Sequence, residues 1–136
     1  MLAEDNPADI FLVREALNSH NIICELEVIS DGDQALRHID CLDSNQPHRC
    51  PALLLLDMHL PKRDGEAILR HLRASEHGAK TPVIIMTSSE SPALKNTAEK
   101  NAALHYFRKP SKLDEFMMLG VLIKDVLDAR PATSQS

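Results

Sequence analysis

The sequence predicts an α/β fold, a parallel β-sheet with helices on both faces. Three observations predict it. Uninterrupted apolar runs recur along the chain, Ala52-Leu53-Leu54-Leu55-Leu56 between Pro51 and Asp57 and Val83-Ile84-Ile85-Met86 after Pro82, as expected of strands covered on both sides. The stretches between such runs carry apolar residues at helical spacing. Strand and helix alternate, and a strand that returns through a helix to a neighbouring strand makes a right-handed crossover and a parallel pair.

The first strand is brief, since only Met1, Leu2 and Ala3 precede Glu4-Asp5. A central strand that short forfeits ladder hydrogen bonds. Either residues are missing upstream or the strand is unusually short. Asn6 as cap and Pro7 in the first turn open a helix whose Ile10, Val13 and Leu17 share a face. Leu26 and Val28 alternate with Glu25 and Glu27 and lead to Ile29, the pattern of a half-buried edge strand. A second helix over Asp33 to Asp40 carries Ala35, Leu36 and Ile39, and a third over Gly65 to Glu76 carries Ile68, Leu69 and Leu72, with Gly78 placed to end it. A small-residue helix is expected over Pro92 to Lys100, then a short strand Leu104-His105-Tyr106-Phe107 closed by Lys109-Pro110. Ser111-Lys112-Leu113-Asp114 resembles a capping box, with Asp in place of Glu or Gln, and opens a last helix to about Asp128. One domain is expected over residues 1–130, with a polar tail over 131–136.

The chain has 136 residues, 15 basic and 20 acidic, for a net charge of −5. That balance argues against a nucleic-acid surface, which needs clustered positive charge. The longest apolar run is far short of the roughly 20 residues that span a membrane, and no secretory leader opens the chain. Three widely spaced cysteines, Cys24, Cys41 and Cys50, make no disulfide framework and suit a reducing, cytoplasmic compartment. A metal cluster of His38, Cys41, His48 and Cys50 matches no trusted zinc spacing.

In such sheets ligands gather at the carboxyl ends of the strands. Those ends hold Glu4-Asp5, Asp57, Thr87 and Lys109. Carboxylates brought to one edge repel unless a cation intervenes. Mg²⁺ suits them, being a hard cation that takes one or two carboxylates and keeps several waters. A lysine ammonium suits a phosphoryl oxygen, and a threonine hydroxyl donates to another.

These residues carry a resemblance. Glu4-Asp5-Asn6-Pro7, Asp57 with Leu60-Pro61 and Asp64-Gly65, Thr87-Ser88 and Lys109-Pro110 resemble the motifs of receiver domains of two-component response regulators, over about Leu2 to Leu127. The stretch Leu60 to Gly65 and the long segment before the third strand are most similar to small stand-alone regulators that serve phytochrome-type sensor kinases. The resemblance implies a flavodoxin-like, five-stranded sheet in order 2-1-3-4-5, and Mg²⁺ as cofactor. It implies Asp57 as phosphoacceptor from a sensor histidine kinase. Asp5 and Asp57 would hold the metal by side chain, Glu4 through water and His59 through its backbone carbonyl. Thr87, Ser88 and Lys109 would bind phosphoryl oxygens, and Lys109-Pro110 would be a cis peptide. Thr87 and Tyr106 would form the switch that alters the surface of the Pro92–Lys100 helix, the last strand and the last helix. His59 and Ser89 would flank the phosphoryl group and tune its loss.

An aspartate after a buried strand also caps loops, a threonine also caps helices, and a tyrosine such as Tyr106 also packs a core. The combination at successive strand ends is what sets these residues apart. A Mg²⁺-dependent phosphatase with Asp57 as nucleophile is the competing class. Haloacid-dehalogenase-type enzymes need a second carboxylate two residues on, where this chain has His59. No DNA-binding domain fits after Arg130, so output is expected through protein contacts. The last helix carries a stripe of Leu113, Phe116, Gly120, Ile123 and Leu127 and an offset stripe of Met118, Leu119, Leu122 and Val126. The second stripe is expected to be a homodimer or kinase-docking surface.

Overall fold

The structure, a computed structural model, describes residues 1–44, 51–62, 65–76, 78–88, 92–93, 96 and 104–129, with 42–44 by backbone alone. In chain order the elements are β1 (Leu2–Ala3), α1 (Pro7–Ser19), β2 (Val28–Ile29), α2 (Gly32–Ser44), β3 (Leu54–Asp57), α3 (Gly65–Ala74), β4 (Val83–Thr87), β5 (Leu104–Arg108), α4 (Leu113–Phe116) and α5 (Met118–Asp128). The chain divides into two compact units, one of residues 1–6 and 26–109, the other of residues 7–25 and 110–136.

The first unit holds the sheet. Its five strands are all parallel and run in the order β2-β1-β3-β4-β5. β1 has two residues and still pairs on both sides, Leu2 with Val28 and Leu55, Ala3 with Ile29 and Leu56. Bonds beyond the strand itself lengthen its ladder: the Leu2 and Glu4 amides donate to Glu27 and Ile29 carbonyls at 2.8 and 2.9 Å, and the Leu55 amide donates to Met1 at 2.9 Å. β3 and β4 are buried at every position, which is why their sequences are apolar without alternation. β2 is an edge strand, as its alternating pattern predicts, with Val28 half-buried and Ile29 buried.

Alternate strand residues Ala3, Leu54, Leu56, Val83, Ile85 and Leu104 join Ala35 and Ile39 of α2 and Ile68 and Leu72 of α3 in one core. Burying such side chains is worth about 1.5–3 kcal/mol each, so this core holds both helices against the strands. α2 begins where the Asp31 carboxylate accepts the Gln34 amide at 2.8 Å. That bond is the main reason Asp31 titrates below the usual carboxylate range. Arg73 of α3 donates to the carbonyls of Ala79 and Thr81 at 3.0 and 2.8 Å and so fixes the entry to β4.

The second unit consists of α1 with α4 and α5. Gly120 of α5 packs on the end of α1: a Cβ there would come within 2.7 Å of the Ala16 carbonyl oxygen and closer still to His20 Nδ1. The sequence reading of this region needs three corrections. The last helix is interrupted at Met117, between Phe116 and Met118. Ser111 does not cap it. The N-cap is Lys112, in extended backbone and without a side-chain cap, and the Phe116 amide donates to its carbonyl at 3.0 Å. The stripes are also reassigned. Phe116, Leu119, Gly120, Ile123 and Val126 are buried, whereas Leu113 and Met118 are more than half exposed. The break and the Gly120 approach set the helix phase, so Leu119 and Val126 are buried and unavailable to a partner. Met118 and Val121 are what remains exposed of the apolar run.

The helix expected over Pro92–Lys100 and the tail over 131–136 lie largely or wholly outside the described residues, as do His48, Cys50, Asp64 and Ser89. Cys24 and Cys41 are exposed and, among the described residues, stand outside any disulfide. Among the described residues no helix is long and apolar enough to cross a membrane.

Candidate functional site

The site lies within the first unit, at the carboxyl edge of the sheet. Strand pairing puts it there. β3 runs one residue further than its apolar run, so Asp57 is the register partner of Met86. β4 likewise ends on Thr87, the partner of Arg108. Glu4 and Asp5 follow β1, which lies beside β3. Residues far apart in sequence are thereby delivered to adjacent strand ends.

Oxygen atoms of Glu4, Asp5 and Asp57 lie within 4.8 Å of one another. The three differ in exposure: Glu4 is 0% exposed, Asp57 is buried and Asp5 is open to solvent. Lys109, whose side chain is only 9% exposed, brings its Nζ to 2.7 Å from Glu4 Oε2 and 3.6 Å from Asp57 Oδ2. Glu4 Oε1 accepts the Asn6 amide at 3.2 Å, and Asp57 Oδ1 accepts the His59 amide at 3.1 Å. Burial pushes the Glu4 carboxyl up to about 7, against the opposing pull of the Lys109 ammonium. A carboxylate taken from water favours its neutral form unless charge compensation is complete.

The lysine is aimed by its own backbone. The Lys109 amide donates to the Thr87 carbonyl at 2.7 Å, continuing the β4–β5 ladder past the last strand residue. Its peptide to Pro110 is trans, since no cis peptide occurs among the described residues. This corrects the expectation of a cis bond. The ladder bond fixes the Lys109 backbone with the trans isomer, and Glu4 Oε2 accepts from its ammonium at 2.7 Å.

Thr87 is buried, Ser88 beside it is exposed, and His59 is exposed. Tyr106 is half-buried against the α2–α3 core. It is the register partner of Ile85, which shares a sheet face with Thr87 by the two-residue period of a strand. All the expected site residues among those described therefore collect at one edge, with Tyr106 one step below it. The offset stripe on the last helix, Met118, Leu119, Leu122 and Val126, belongs to the other unit.

Sequence reasoning missed the clasp that holds the loop after Asp57. The Gly32 amide donates to the Pro61 carbonyl at 3.0 Å, and Lys62 stands 3.6 Å from Asp31. Lys62 adopts φ 71°, the left-handed region that few non-glycine residues enter. The Gly65 amide returns to the Met58 carbonyl at 3.2 Å. A Cβ at Gly65 would lie 2.8 Å from Met58 Cα and closer to its sulfur. The signal was present in the Asp31-Gly32 and Pro61-Lys62 pairs, but their meeting is a tertiary fact.

The donor set fits a small hard cation. Every side-chain ligand atom at the acidic cluster is a carboxylate oxygen, and exposed Asp5 beside buried Asp57 leaves one side open for water, as Mg²⁺ requires.

Comparison with known proteins identifies the family of the chain. The family model described as "Response regulator receiver domain" matches residues 1–119. The chain is similar to the response regulator Rcp1 of Synechocystis sp., 33% identical over 91 residues, which cover 67% of this chain and 62% of that protein. The chain thus spans about three-fifths of that relative's length. A crystal structure of the Mn²⁺-bound form of Rcp1 superposes with a TM-score of 0.78 at 29% identity, covering 96% of this chain and 94% of that one. The phosphorylated cyanobacterial phytochrome response regulator RcpA superposes with a TM-score of 0.77 at 26% identity, covering 94% and 91%.

Proposed function

This chain belongs to the response regulator receiver family, and from that membership we propose that it works as a stand-alone phosphoacceptor in a two-component phosphorelay. The receiver domain spans residues 1–130. The donor is a phosphohistidine of a sensor histidine kinase, of the phytochrome type by analogy with the phytochrome response regulator RcpA, and the setting is the cytoplasm. One observation carries the reading: Asp57, at a strand end, has Glu4 and Asp5 oxygens within 4.8 Å and the Lys109 ammonium at 3.6 Å.

In this reading an Asp57 carboxylate oxygen attacks phosphorus. The new O–P bond makes an acyl phosphate, and the P–N bond breaks to leave the kinase imidazole. Such transfers ask for in-line positioning and charge neutralisation more than for covalent machinery. The side chains of Asp5 and Asp57 and the backbone carbonyl of His59 would hold Mg²⁺, with Glu4 reaching it through water, and the ion would supply charge neutralisation at the phosphoryl oxygens. Lys109 binds one phosphoryl oxygen, the Thr87 hydroxyl and the Ser88 amide the others. Thr87 moves toward the phosphoryl group, and Tyr106 turns into the space it leaves. That changes the surface around β5, which a protein partner reads. The chain acts by one-time loading. The second carboxylate that a phosphatase of the competing class needs is replaced by His59.

The test is intact-protein mass spectrometry after incubation with acetyl phosphate and Mg²⁺. Wild type gains one phosphate and Asp57→Asn gains none. Equal labelling of the two removes Asp57 from the role, and rapid repeated cleavage of a chromogenic phosphate ester favours the hydrolase.

A further inference from the structure

We propose that Asp31, just before α2, is a positioning residue for the loop that follows β3, and that it holds that loop through Lys62. The inference rests on the receiver reading for what the loop carries, the His59 carbonyl. Asp31 divides its carboxylate between two tasks. Oδ1 accepts the Gln34 amide at 2.8 Å and so starts α2. Oδ2 stands 3.6 Å from the Lys62 ammonium. The Asp31 side chain is 14% exposed against 60% for Lys62, so the aspartate is the fixed member of the pair. Gln34 fixes it further, since its Oε1 accepts the Ser30 amide at 3.4 Å. The Gln34 bond first, and the Lys62 charge after it, hold the Asp31 carboxyl below the usual carboxylate range, which keeps it charged for both tasks.

Lys62 needs such a holder. Its φ of 71° lies in a region that glycine enters readily and lysine does not, because Cβ crowds the following carbonyl oxygen. A residue persists there where its surroundings over-determine it. Two contacts from one short segment do so. The Asp31 carboxylate takes the side chain, and the Gly32 amide donates to the Pro61 carbonyl at 3.0 Å. The first amides of a helix have no partner inside it, so Gly32 has this donor to spare. Beyond the turn the chain comes back to the end of β3, where the Gly65 amide donates to the Met58 carbonyl at 3.2 Å. The loop is thereby tied at its middle to α2 and at its end to β3, and His59 lies between Met58 and Pro61. A carbonyl that is to meet a metal ion depends on supporting contacts of this kind.

Asp31→Asn separates the two tasks. Asparagine caps a helix as well as aspartate does, but an amide nitrogen in place of Oδ2 cannot accept from an ammonium. Phosphate loading of the full chain from acetyl phosphate is followed by intact-protein mass spectrometry against Mg²⁺ concentration. The Mg²⁺ concentration that gives half the maximal rate should rise about three- to fivefold in Asp31→Asn, the most that an exposed ion pair returns. The rate at saturating Mg²⁺ should stay within about twofold. Lys62→Gly should match wild type within about twofold, since glycine holds the turn unaided, and the double variant Asp31→Asn/Lys62→Gly should return to the wild-type value. An Asp31→Asn chain that loads like wild type overturns the proposal. So does one that Lys62→Gly fails to restore, because Asp31 is then a helix cap and nothing more. A second measurement uses wild type alone and so does not depend on a variant folding. Amide hydrogen exchange at Gly32 is read in EDTA and in saturating Mg²⁺. A metal that takes the His59 carbonyl steadies the loop, and by linkage the Gly32–Pro61 bond opens less often, so exchange at Gly32 slows several-fold. Exchange that Mg²⁺ leaves unchanged breaks the coupling and the proposal with it. The receiver reading fails by a separate sign, a wild type that takes no phosphate from acetyl phosphate at any Mg²⁺ concentration.

Discussion

The carboxyl edge of the sheet and helix α5 bury side chains under opposite rules. At the edge, three carboxylates and an ammonium lie together within a few ångströms. In α5 the buried face is Leu119, Gly120, Ile123 and Val126. A buried charge is stable only with a specific partner at a specific distance. A buried apolar side chain asks only for contact and volume. Substitutions at the edge therefore act through electrostatics and depend on pH and metal, whereas those in the helix act through packing and do not.

Replacing Lys109 by methionine should test the edge most severely. It leaves the fully buried Glu4 without its cation, and breaking a buried pair costs about 3–5 kcal/mol. The cost depends on pH. The Glu4 carboxyl in the folded chain is pushed up from 4.5 to about 7. Its proton-bound form is thus favoured by folding, and the associated stability is complete below 4.5 and is lost as pH rises through 7. Wild type in EDTA should accordingly unfold at lower urea at pH 8 than at pH 5, and Mg²⁺ should narrow that gap. Lys109→Met should lose most at pH 8 and little at pH 5, where Glu4 is already neutral. A loss independent of pH would mean that the edge obeys the packing rule after all.

The helix gives the matched contrast. Leu119 is 0% exposed and Met118 is 58% exposed. Leu119→Ala should lower stability by about 2–5 kcal/mol, and Met118→Ala by less than about 0.5 kcal/mol. Both values should be the same at pH 5 and pH 8 by urea denaturation. Similar costs at the two sites would reverse the assignment of the stripes. A smaller effect sharpens the comparison. Gly120→Ala places a methyl group against the backbone carbonyl of Ala16 as well as the His20 ring. Overpacking of this kind costs about 1–3 kcal/mol, despite the better helix propensity of alanine. A stabilised Gly120→Ala chain, read as a raised melting temperature, would show that α5 and α1 have room to part.

The two regions were also unequally legible in the sequence. Asp57, Thr87 and Lys109 announced themselves because each follows an apolar run, and the end of a strand in a parallel sheet is a fixed address once its neighbours are known. The pairings of Asp57 with Met86 and Thr87 with Arg108 realise that address. The last helix was less readable. Apolar residues occur on almost every side of it from Phe116 to Ile123, so periodicity alone did not fix its phase. The break at Met117 and the close approach of Gly120 to α1 did. Individual contacts at the site were likewise invisible. Nothing local to Glu4 says that it is wholly buried or that it takes the ammonium at 2.7 Å.

By itself the sequence determined the order of strands and helices and the kinds of chemical groups at the strand ends. Runs, alternation and turn residues are local properties, and a parallel sheet converts them into position. Only the tertiary structure decided which acid faces water and which holds the lysine, and which side of the last helix is core. Those outcomes depend on distances between segments as far apart as Glu4 and Lys109, and no local pattern encodes a distance across the fold.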